Sequence, residues 1–289
     1  MNEIPNIRNL KWPVFTFFIL AYVWSWSWWV PVLYKLHDQG NNPGNIPGWI
    51  VPFVVLGAYG PSIAAISLTI FAKGTTGLKR LLSRFLLWRA PVLVHFITWL
   101  GPSVFLIIAI LLSPANSALL GKLDWSQAQL IPMVLISGLI FGPLAEELGW
   151  RGYALPFLQK KYSALTSSLI IGVAWCFWHT PLFWAPGGTL ISGHEVTILA
   201  VSKYLLFACG LSVIFTWIFN RSKGSVLLSV VFHTMANASL PFLLFPYANA
   251  NAVYSISWLM IIPVWIVAIS LLFFYGHRNL SKEPRIKSG

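Results

Sequence analysis

The sequence predicts an all-α, polytopic integral membrane protein with about eight transmembrane helices. Three observations predict it. Hydrophobic residues fill 57% of the 289 positions and charged residues only 9%, against roughly 25% charge in a soluble domain, and the mean hydropathy is +0.73. Apolar runs of about 20 residues, the length needed to cross a bilayer core, recur from end to end. Lys and Arg gather at every second connection between those runs, as the positive-inside rule requires of a chain that crosses repeatedly.

Taken in order, the spans read as residues 13–34, 49–72, 91–113, 128–150, 164–184, 197–219, 225–245 and 252–275. They make one membrane domain, 1–289, with short tails 1–12 and 277–289 and no room for a soluble domain. The first run lacks a small-residue cleavage signature and leads straight into further spans, so it reads as retained. Arg8 and Lys11 precede span one. Lys73, Lys79, Arg80, Arg84 and Arg89 follow span two; Arg151, Lys160 and Lys161 follow span four; Arg221 and Lys223 follow span six. Arg278, Lys282, Arg285 and Lys287 follow span eight, whereas the alternate connections hold only Lys35 and Lys122. Both termini are therefore expected in the cytoplasm. The excess of 19 Lys and Arg over 7 Asp and Glu reads as topology and attraction to anionic lipids, not as a nucleic-acid surface.

Two connections have a character of their own. Residues 76–90 carry Leu78, Leu81, Leu82, Phe85 and Leu86 at helical spacing among basic residues, the pattern of an amphipathic helix on the cytoplasmic membrane surface. Residues 38–48 are a Gly/Pro/Asn loop on the outer side. Of the 16 Trp, Trp24, Trp26, Trp28, Trp29, Trp49, Trp88 and Trp99 lie near run ends, as interfacial belts do. Trp150, Trp175, Trp178 and Trp184 flank polar stretches and read chiefly as packing residues, with the lining of a substrate groove as the alternative. Cys176 and Cys209 fall in apolar runs and read as small core residues.

The chemistry gathers around residues 141–152, FGPLAEELGWRG. Glu146 and Glu147 are adjacent near the end of an apolar run, and carboxylates in such a position usually face a partner or a water-filled cavity. Neighbours on a helix point about 100° apart, so the two carboxylates face different surroundings. Glu147 and Arg151, spaced i and i+4, are placed to pair, which leaves Glu146 as the unpaired carboxylate. Pro143 is expected to kink the helix just before them. The bland alternative is a structural ion pair with a spare carboxylate.

Span five carries His179, with Thr180–Pro181 ending or bending the helix just beyond it. Span seven carries His233 and Asn237 on one face, a pattern that suits a metal site, an oxyanion site, a proton path or plain interhelical hydrogen bonding. His37, His95, His194 and His277 read as structural or interfacial. His194-Glu195 opens like a zincin motif but Ile198 stands where the second His belongs. Walker, GxSxG and dinucleotide-binding motifs do not occur, and aspartyl chemistry is excluded because both Asp lie in loops. At 1.5 Å per residue, Glu146 lies about 10 Å, His233 about 12 Å and His179 about 22 Å from their cytoplasmic helix ends. The levels meet only if the fifth helix starts later or tilts, or the cavity is deep.

One buried carboxylate near two imidazoles and an amide reads as hydrolysis. Glu146 is the candidate general base for a water molecule. His179 orients that water or protonates the leaving amine, and His233 and Asn237 donate to the developing oxyanion. A second version places zinc on His179 and His233 with Glu146 as ligand or base. Residues alone leave the choice open between no cofactor and zinc.

EELGWR at 146–151 and HTMAN at 233–237 resemble the EExxxR and HxxxN/D motifs of the CPBP family of intramembrane proteases, the CAAX-protease and bacteriocin-processing family. The family's FxxxH corresponds to Trp175 through His179, one aromatic replacing another. GPSIAA at 60–65 and GLKRLLSRFLLWR at 77–89 are also similar to its early segments, so the resemblance covers about residues 50–245. It implies an eight-helix fold like that of type II CAAX prenyl endopeptidases, which remove three residues after a prenylated cysteine. It implies that Glu146, His179, His233 and Asn237 are catalytic, from helices four, five and seven, with Glu147 and Arg151 supporting. The expected partner is a membrane-associated peptide or protein, lipidated or not. The other functional classes are a non-catalytic immunity or scaffold protein of the same fold and a proton-coupled transporter with Glu146 as carrier. Paired broken helices in corresponding halves, which would favour a transporter, do not stand out.

Overall fold

The fold is taken from a computed structural model, which describes residues 13–38, 47–122, 129–140, 142–185, 189–244 and 250–282; for residues 38, 122, 239–244 and 250 it describes the backbone alone. The tails 1–12 and 283–289, nearly all of the loop 38–48, Asp124 and the Lys122 side chain therefore lie outside the described residues.

Among the described residues the chain is helical, with no strand. Its helices are α1 (Pro13–Asp38), α2 (Val51–Ala58), α3 (Gly60–Leu82), α4 (Val92–Leu111), α5 (Ile131–Ile140) and α6 (Pro143–Glu147). Then follow α7 (Leu155–Leu158), α8 (Ala164–Trp178), α9 (Ile198–Arg221), α10 (Val226–Leu244), α11 (Ala250–Leu259) and α12 (Ile261–Tyr275). Six helical stretches, Pro13–His37, Gly48–Leu86, Val92–Leu111, Ile131–Leu158, Ile198–Arg221 and Asn251–Tyr275, are long and apolar enough to cross a membrane. The chain is an all-α integral membrane protein. The stretches expected as spans five and seven contain shorter apolar helices, Ala164–Trp178 and Val226–Ala238. Both carry site residues, and α8 stops early because Pro181 cannot continue it.

Local sequence explains the breaks that matter. Within α3, Gly74 adopts φ +59°, a left-handed conformation that side chains disfavour. It separates the apolar first part of the helix from the basic segment expected to form its own amphipathic helix. That second part buries Gly77 and Leu81 and exposes Lys79, Arg80 and Leu82, and Leu86 is exposed in the 3-10 turn that follows. The fourth expected span is interrupted: α5 ends at Ile140 and α6 begins at Pro143, whose missing amide hydrogen costs nothing at a helix start. Beyond α6 the backbone widens into π-helical turns over Leu148–Ala154. Pro156 has no amide hydrogen to give the Gly152 carbonyl and its ring crowds that carbonyl, and π turns of this kind often mark functional sites. The helical path runs on to Leu158, so Glu146 stands about 18 Å from its end at 1.5 Å per residue. That brings Glu146 close to the level of His179: the fourth helix is longer than the sequence suggested, and His179 caps a helix that starts at Ala164 as expected.

The core places these pieces side by side. Helix α8 packs on α9, α10 lies against α4 and α5, and the π-helical turns lie against α3. Gly149 makes the last contact possible, since a Cβ there would sit 2.4 Å from the Pro61 carbonyl oxygen. Trp150 and Trp178 are fully buried and meet edge to face, 5.9 Å between centroids. Trp29, expected at an interface, is also fully buried and donates to the Val54 carbonyl at 3.0 Å. It belongs to the core because α1 runs between α2, α3 and the loop after α8. Trp184, by contrast, is 66% exposed.

Candidate active site

The fourth, fifth and seventh of the expected spans do meet. Glu146 on α6, His179 at the end of α8, and His233 and Asn237 on α10 all line one cavity of about 480 Å³. Glu146, His179 and His233 are buried, while Asn237 is exposed. Tyr204, Trp29 and Trp178 also line this cavity, and the rest of its wall is mostly apolar, including Phe105, Phe207 and Leu211.

Glu147 faces away from Glu146 and is fully buried. Its Oε1 accepts from Arg151 Nη1 at 2.8 Å, the i,i+4 pair expected from the sequence. The same oxygen accepts from His233 Nδ1, also at 2.8 Å. The second partner was not legible in the sequence, because 86 positions separate the two residues. Arg151 is buried as well, its guanidinium 3.8 Å from the centroid of the Phe215 ring and Nη2 3.4 Å from Ser212 Oγ. An ionised pair this deep is held by partners on several sides, and removing one partner strands the other.

Glu146 is not the unpaired carboxylate that helical spacing suggested. Its Oε2 accepts from the indole Nε1–H of Trp175 at 2.6 Å. Trp175 lies one turn before His179 on the same face of α8, and its carbonyl accepts from His179 Nδ1 at 2.8 Å. Packing alone does not describe this tryptophan: a buried polar acceptor needs a donor, and the indole supplies one. A clue was present in the sequence, since an aromatic four residues before the site histidine shares its face.

The two imidazoles are thus oriented alike. Each uses Nδ1 on a fixed acceptor, Glu147 for His233 and the Trp175 carbonyl for His179. Each keeps Nε2 for other work, the usual way a partner sets the role of a histidine. Glu146 Oε1 is the remaining carboxylate oxygen. It lies on the side of Gly142 and Asn237: a Cβ on Gly142 would sit 3.1 Å from Oε1 and 3.5 Å from Asn237 Nδ2. Among the described residues, no group of three His, Cys, Asp or Glu side chains converges as a metal site. The set Glu146, His179 and His233 therefore does not fit zinc in this geometry, and no step is routed through a metal.

A buried carboxylate, two oriented imidazoles and an amide thus surround one cavity inside an α-helical membrane protein. A family model described as "Type II CAAX prenyl endopeptidase Rce1-like" matches residues 127–239, which hold Glu146, Glu147, Arg151, Trp175, His179, Tyr204, His233 and Asn237. A CAAX prenyl protease 2 of Methanococcus maripaludis is 27% identical over 203 residues, covering 66% of this chain and 69% of that protein. These matches bear out the family resemblance that the motifs carry: over the segment that holds the site, the chain is similar to CAAX prenyl endopeptidases.

Proposed function

We propose that this protein cleaves a peptide bond of a membrane-held substrate near the cytoplasmic face, using water activated by Glu146. The observation that carries the reading is the single cavity onto which Glu146, His179, His233 and Asn237 converge.

The roles follow from which atoms are already engaged. Trp175 occupies Glu146 Oε2, so Oε1 is the atom that takes a proton from water as its oxygen adds to the substrate carbonyl. His179 donates its Nδ1–H to the Trp175 carbonyl and so presents a bare Nε2, which accepts from the water and aims it. That favours water orientation over amine protonation for His179. His233, with Nδ1 on Glu147, acts as an imidazolium whose Nε2–H, with the Asn237 amide, donates to the oxyanion. In that state two carboxylates, Arg151 and the imidazolium balance in charge, which suits a site with little water. Glu146 then returns its proton to the departing amine and the carbonyl re-forms.

The substrate class is taken from the relative's name: a protein or peptide with a prenylated C-terminal CAAX sequence. Prenylation suits the apolar cavity walls and the exposed apolar helix faces. Both termini lie in the cytoplasm on this reading, and the basic segment 76–90 rests on anionic lipid.

The test is cleavage of a farnesylated CAAX peptide by the full chain in liposomes. Glu146→Ala and His233→Ala are expected to lose at least a hundredfold in rate, the scale of lost acid–base and oxyanion groups. Wild-type cleavage in either variant would sink the assignment.

A further inference from the structure

We propose that Trp175 is the positioning residue of the base, and that its indole N–H, not its ring, is what the site requires. This rests on the function proposed above. Four contacts meet at this side chain and its backbone. The N–H reaches Glu146 Oε2 at 2.6 Å. The carbonyl holds His179 Nδ1 at 2.8 Å. The ring stands edge-on to His233, 5.5 Å between centroids at 89°. The Arg151 guanidinium lies 5.4 Å from the ring centroid.

Of these, a phenylalanine would keep the backbone bond and most of the ring contacts. The N–H alone would be lost. A carboxylate turns about its last bond between two equivalent settings unless one oxygen is tied. With Oε2 tied to the indole, Oε1 is turned toward Gly142 and Asn237, where the reacting carbonyl is polarised. The bond to an ionised acceptor is also of the stronger kind. Trp175 is itself only 6% exposed, so water cannot readily stand in for the lost donor. The tryptophan at this motif position is therefore more than a change of aromatic: it couples the base to the helix that carries His179. One backbone unit then sets two site groups, because the residue that holds Glu146 also holds the His179 ring.

The experiment compares Trp175→Phe with replacement of Trp175 by benzothienylalanine, which keeps the bicyclic shape and has sulfur in place of N–H. Both are assayed on the farnesylated peptide in liposomes, with Glu146→Ala alongside. The expected result is a fall in kcat of about tenfold or more in both variants, with KM within about twofold and thermal unfolding unchanged for the benzothienyl protein. A donor that only packs would leave kcat intact in the benzothienyl protein, and wild-type kcat there overturns the proposal whatever Trp175→Phe does to folding. A rise in KM at unchanged kcat overturns it too, because that marks a substrate contact. Cleavage that persists in Glu146→Ala overturns the catalytic reading itself and this inference with it, whereas a dead Glu146→Ala beside a fully active benzothienyl protein removes only the inference.

Discussion

Glu147 Oε1 stands 2.8 Å from both Arg151 Nη1 and His233 Nδ1. One carboxylate oxygen thereby ties the turn that carries the base to the helix that carries His233 and Asn237. Helix α6 and the π turns are short, and this buried link holds their side chains at a set distance from α10.

Glu147→Gln keeps the shape and removes the charge. It leaves Arg151 buried without its anion, so it is expected to cost about 3–5 kcal/mol of stability. Unfolding in mixed micelles measures this; a loss under about 1 kcal/mol would mean the pair is solvated and of little weight.

Arg151→Lys preserves the charge but not the planar fork, the stacking on Phe215 or the reach to Ser212. It is expected to lower stability by about 1–3 kcal/mol, less than Glu147→Gln. A lysine variant as stable as wild type would show that charge alone holds this place.

Gly142→Ala adds a methyl 3.1 Å from Glu146 Oε1. The φ there, −174°, lies outside the left-handed region that favours glycine, so the fold is expected to survive. Peptide cleavage should drop about tenfold or more as the carboxylate is displaced. Unchanged kcat would argue that Oε1 is not the working oxygen.

Gly149→Ala meets backbone instead: the added Cβ would stand 2.4 Å from the Pro61 carbonyl oxygen. Helix α3 and the π turns must then part, and folding yield in membranes is expected to fall sharply. Normal expression and activity would show that the contact can slide.

Cleavage is expected to survive exhaustive treatment with a strong chelator, since the described donor set lacks a convergent triad. Loss of activity on chelation with recovery on adding zinc would restore the metal reading for His179 and His233.

Apolar runs and residue spacing were enough to assign the class of fold and most of the site's cast. Long apolar runs leave the backbone no partner but itself, so helices follow, and charges inside those runs are conspicuous because they are costly. Spacing alone paired Glu147 with Arg151 and put His233 with Asn237, since these are contacts within one helix. What tertiary structure decided lies between helices. It gave Glu147 a second partner in His233 and gave Glu146 a donor in Trp175. It also broke the fourth helix at Pro143 and ran it on to Leu158, so that Glu146 and His179 share a level. Periodicity records which face of a helix a side chain is on. Which residue stands opposite that face is settled only when the helices pack, and the roles of both glutamates were decided there.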